Sequence, residues 1–180
     1  MNSPRESMVL GDPFSAKELA LARAAAHARG CRLVDALDAS DGACSVAFTA
    51  RLAATVCMTS VCMNELHVLT PAFDALPFGE ALQHECILFH GGKHGLILAI
   101  ADPFNTALRD WAQERIPARV EWRLAHRADI AAYLARHEET MRAMDGIVST
   151  QQTVQTDSTA QDISLKSISE DASPVVRLVN

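Results

Sequence analysis

A chain of 180 residues, 49% of them apolar and with a formal net charge of −6, has room for one ordinary domain with a true core and a small further piece. Its 16 basic residues are scattered among 22 acidic ones, which excludes a surface that tracks nucleic-acid phosphates. No apolar run reaches the ~18 residues of a membrane span, and "MNSPRESMVLGDPFS" lacks the apolar middle of a secretory signal, so the expectation is a cytoplasmic protein without membrane insertion.

Residues 1–14 read as a flexible arm. Residues 15–60 read as a helical subdomain. In "SAKELALARAAAHARG", Ser15 and Glu18 have capping-box spacing and Gly30 stands where a C-terminal cap belongs. Leu19, Ala22 and Ala26 share one face. A short helix over "CRLVDALDASDG" closes at Gly42, and another over "ACSVAFTARLAATVCM" turns Val46, Leu52 and Val56 inward. Cys31, Cys44, Cys57, Cys62 and Cys86 are odd in number and lie in apolar surroundings, so they read as small hydrophobes rather than a disulfide frame.

Residues 61–145 read as a β-β-α-β-α unit. A turn is expected near Thr70-Pro71, then a short helix over "PFGEALQHE" with Pro77 at its first position. "CILFH" and "LILAIAD", joined by the glycine-rich "GGKHG", form a hairpin whose strands are apolar enough to be covered on both faces. Asp102 is read as the cap and Pro103 as the first turn of a helix over "PFNTALRDWAQERI", with Phe104, Leu108, Trp111 and Ile116 buried. "RVEWRL" alternates, with Val120, Trp122 and Leu124 on one side. A last helix turns Ile130, Tyr133, Leu134 and Met141 inward. The fold class is therefore α+β. Residues 146–172, rich in Ser, Thr, Gln and Asp and without an aromatic, read as a disordered linker. The apolar "SPVVRLVN" of residues 173–180 reads as the start of a further domain.

In their order, Leu76-Pro77, Ala99-Ile100-Ala101-Asp102-Pro103, and Asp129-Ile130 with Tyr133 resemble the N-terminal domain of the type II secretion and type IV pilus assembly ATPases. The likeness covers residues 65–145, with 173–180 as a second region. It implies a docking domain that anchors a hexameric motor to the cytoplasmic part of an inner-membrane platform protein. The domain would be monomeric here and peripheral to the membrane through that partner. ATP and Mg²⁺ would belong to the motor: no G-x-x-x-x-G-K-[ST] phosphate loop occurs in these 180 residues, so the chain is not read as an enzyme. Pilus ATPases of the MshE type bind cyclic di-GMP through paired Arg-Leu-Gly-x-x-Leu segments. The nearest stretch, "RGCRLVDALDASDGACSVAFTARLAA", supplies Arg29, Arg32 and Arg51 as contacts but lacks the Arg-Leu-Gly order. The same domain appended to a glycosyltransferase-like protein is a further alternative.

For docking, the candidate is the first helix, through Leu19 and Leu21 beside Arg23. His90, His94 and Cys86 suit a metal by type, but a turn does not hold them on one face and no fourth ligand is evident; they read as turn histidines and a buried thiol. Cys57 and Cys62 lack a second metal-binding half. Neither Ser45 nor Ser60 has a nucleophile's surroundings. Trp111 and Trp122 read as core, and His137-Glu138-Glu139 as a solvated face.

Overall fold

In the computed structural model, residues 12–91 and 95–144 are described. Two compact units divide the chain, Met1–Leu134 and Ala135–Asn180. The core, the sheet and the clefts all belong to the first.

Three helices open the chain. α1 (Ala16–Arg29) carries the full capping box: the Ser15 hydroxyl accepts the Glu18 N–H, and Glu18 accepts the Ser15 N–H at 2.7 Å. It ends at Gly30, φ 64°, where an L side chain is disfavoured. Ala22 and Ala26 are its buried residues, and small side chains there let α2 (Leu33–Asp41) come close. α3 (Ser45–Thr55) buries Phe48, Thr49, Leu52 and Ala53. This corrects the expected face, because Val46 is 58% exposed.

A five-stranded sheet follows in the order β1-β5-β4-β3-β2. Its centre is the expected hairpin, β3 (Cys86–His90) and β4 (Leu96–Ile100), in register from Cys86↔Ile100 to His90↔Leu96. Residues 86–89 and 97–100 are buried along their whole length. At Gly91 the backbone N–H reaches the Gly95 carbonyl at 2.6 Å, and a Cβ on Gly91 would meet that oxygen at 2.7 Å. β5 (Val120–Leu124) lies parallel to β4 after a crossover through α6 (Thr106–Arg115).

Both edge strands escaped the sequence reading. β1 (Thr59–Ser60) pairs parallel to β5, and β2 (Thr70–Pro71), expected as a turn, pairs antiparallel to β3. Two residues are too few to show a period, so only the tertiary neighbour makes them strands. Between them lies α4 (Met63–Val68), also unforeseen. α5 (Phe78–His84) takes Pro77 as its N-cap residue rather than its first residue. The break at Asp102-Pro103 is likewise displaced: the cap of α6 is Asn105, whose side chain accepts the Leu108 N–H at 3.0 Å. Asp102 instead accepts the Phe104 N–H at 2.9 Å, closing a local turn around Pro103. Leu108 and Ile116 are buried as expected, with Phe104 and Trp111 packed partly against the core.

The last helix, α7, runs over 127–144, with Ile130 and Leu134 buried. Met141, expected inward, is 44% exposed. The fold is thus α+β, with α1–α3 and the sheet contributing to one apolar cluster through Ala22, Leu37, Phe48, Leu52, Leu88 and Leu98. The expected linker 146–172, the region 173–180, His94 and most of the arm lie outside the described residues.

Candidate functional site

Among the described residues no group of three or more His, Cys, Asp or Glu side chains is placed to hold a metal ion. What the fold does build is a set of clefts around α2. One, of 460 Å³, lies beside α1 and α3 and is reached by Arg29, Arg51 and Leu21. Arg51 is already engaged there. Its Nη1 pairs with Asp41, its Nη2 donates to Glu18 at 3.0 Å and its Nε to the Asp12 carbonyl at 3.1 Å. The guanidinium lies 4.1 Å from the Phe14 ring centroid. Arg29 is exposed and forms no ion pair among the described residues.

Arg32 sits elsewhere. It is the N-cap residue of α2 and is tied to Asp35 at 3.0 Å and to Glu85 at 2.7 Å. Glu85 also receives Arg127 at 2.7 Å. Two guanidiniums thus hold one carboxylate. Hydrogen bonding, first from Arg127 and then from Arg32, keeps the Glu85 carboxyl below its ordinary pKa. Glu85 is strained as well: it ends α5 at φ 50°, a region non-glycine residues seldom adopt. Nothing in the local sequence marks it, since glycine or asparagine is the usual residue there.

Three of these charges, Asp35, Glu85 and Arg127, rim a cleft of 530 Å³ between α2, α3 and the start of α7. Its walls include Val34, Phe48 and Leu52, and His126 lies across it, 3.4 Å from Asp38 and edge-on to Phe48. Val34 is 6% exposed and belongs to the apolar core. Asp102 is close to a third, more polar cleft of 290 Å³ that Arg32 also lines; burial raises its pKa against the pull of the Phe104 N–H.

Of the three arginines expected to act together, the fold therefore brings together Arg29 and Arg51 and separates Arg32. The proposed docking face also divides. Leu19 is half-buried and packs on the core, whereas Leu21, 63% exposed, and Arg23 face outward. His90 bonds to Asp74 at 3.2 Å, and Cys86 is buried with its thiol pushed up to about 12 by desolvation. Trp111 stacks on His84 at 3.7 Å. Compensated charges over apolar walls equip such clefts for binding and for holding elements together.

Residues 65–144 match the family model described as the MshEN domain. Among solved structures, "Structure of MshE with cdg" is similar, with a TM-score of 0.54 and 19% identity, covering 68% of this chain and 89% of that one. At that identity the likeness shows the fold. No curated protein matches the chain.

Proposed function

We propose that this chain docks and regulates a secretion or pilus motor at its inner-membrane platform, reading residues 65–144, which match the MshEN domain model, as the N-terminal domain of such an ATPase. The match from within α4 to the end of α7, which takes in β2 to β5 but not the edge strand β1, carries this reading. ATP and Mg²⁺ then act in the motor, and this domain supplies position. On the partner side, Leu21 and Arg23 offer an exposed apolar and cationic pair on α1. A pull-down with the cytoplasmic domain of the platform protein tests it: the chain is retained, and Leu21→Asp with Arg23→Glu releases it. Retention of that double variant would remove α1 from the interface, and no retention of either would remove the docking role.

A second reading is sensing of cyclic di-GMP. It is favoured by the ligand of the similar solved structure and by Arg29 beside Arg51 in one cleft. The bonds that already occupy Arg51 weigh against it. Calorimetry with cyclic di-GMP decides: micromolar binding lost in Arg29→Ala supports sensing, and a flat titration leaves docking alone.

A further inference from the structure

Among the described residues, part of the outer side of β5 has no strand beside it. Two bonds fix which way its backbone groups point: Val61 N–H donates to the Leu124 carbonyl at 2.8 Å, and Ala125 N–H to the Ile100 carbonyl at 3.0 Å. In a parallel ladder the N–H and C=O of one residue face the same neighbour, and successive residues alternate. Leu124, Trp122 and Val120 therefore face the β1 side, while Glu121 and Arg123 face β4. β1 has only two residues, opposite Arg123 and Leu124. Before Thr59 the chain turns away, with Cys57 at φ 56° and the Met58 N–H bonded back to the Ala53 carbonyl at 2.9 Å. The Trp122 N–H and both backbone groups of Val120 are left without a partner among the described residues, and both residues are only half-buried. Unpaired groups on such an edge are a template for another strand.

The charge around this edge selects what can lie on it. Glu121 is the only acid on the strand, and the Arg123 Nε neutralises it at 2.9 Å. Arg119, just before the strand, and Arg109, whose guanidinium lies 5.9 Å from the Trp122 ring centroid, are exposed and in no ion pair among the described residues. We propose that the open half of β5 accepts an extended, acidic segment of a partner protein as an added strand in line with β1. Main-chain bonds to Val120 and Trp122 would hold it, and Arg109 and Arg119 would choose its charge. The surface is separate from α1, and the inference stands whether or not the docking reading does.

The probe is a blocked synthetic peptide of alternating valine and aspartate, added to the full chain while amide hydrogen exchange is followed by NMR. In the free chain the Val120 and Trp122 amides exchange fast and those of Glu121 and Arg123 slowly. Peptide at millimolar concentration slows the first pair about tenfold. Arg119→Glu weakens the effect about threefold, the size of a screened surface charge contact, and a valine–lysine peptide produces none. The inference is overturned by slow exchange of Val120 and Trp122 in the free chain, by no added protection at millimolar peptide, or by equal protection from the lysine peptide.

Discussion

Ser15 and Glu18 show how much one pair of side chains can report. Glu18 is drawn from an ordinary 4.5 to about 2, chiefly by the Ser15 hydroxyl, then by the Ser15 N–H and Arg51. A carboxyl whose folded pKa is lowered adds stability above its unfolded pKa and loses it as pH falls toward the folded one. Its contribution is therefore complete at neutral pH and disappears between about pH 4.5 and about 2. Ser15→Ala should move the Glu18 titration back toward 4.5, read by carbon NMR of the carboxyl. It should also cost about 1 kcal/mol of stability for the lost cap. The cysteines separate on the same physical ground. Cys86 is buried, its thiol held near 12, while Cys31, Cys44 and Cys57 are exposed. A thiol reagent should label those three in the native chain and reach Cys86 only in denaturant; native labelling of Cys86 would contradict its burial.

Longer apolar runs announced themselves and short pairings did not. "CILFH" and "LILAI" became β3 and β4 because ten nearly all-apolar residues have no stable place except inside a sheet covered on both faces. Thr59–Ser60 and Thr70–Pro71 carry no such signal and become strands only because β5 and β3 offer them partners. The cap of α6 moved from Asp102 to Asn105 for a related reason. Both residue types can cap, and only the turn around Pro103 decides which one meets the first free amides. Gly91 leaves no room for a side chain. Gly91→Ala would push a Cβ onto the Gly95 carbonyl at 2.7 Å, so urea unfolding should show a loss on the order of 1–3 kcal/mol.

The N-terminal helices and the sheet hold together through a few large side chains and a ring of charge. Phe48, 3% exposed, touches Phe14 and stands edge-on to His126, so it links the segment just before α1, α3 and the segment leading into α7. Phe48→Ala should cost on the order of 3–5 kcal/mol, visible as a lower denaturant midpoint. If α1–α3 then unfold in a separate earlier transition, the seam beside the 530 Å³ cleft is the weakest join in Met1–Leu134. The candidate site was legible only in part. Arg29, Arg32 and Arg51 could be picked out by type, but their partners could not. Glu85 lies 53 positions from Arg32 and 42 from Arg127, separations at which no local pattern operates.

Composition, periodicity and end signals were sufficient for the α+β class, the ends of α1, the central hairpin and the resemblance carried by Leu76-Pro77 and the Ala99–Pro103 run. Each depends on neighbours close along the chain, where sequence spacing and spatial spacing coincide. Tertiary structure alone decided which arginine forms no ion pair among the described residues, which face of α3 is buried, that Leu19 and Leu21 point apart, and that half of β5 has no strand beside it among the described residues. Those outcomes depend on which distant groups arrive first at a limited set of donors, acceptors and apolar contacts, a competition that is settled in three dimensions.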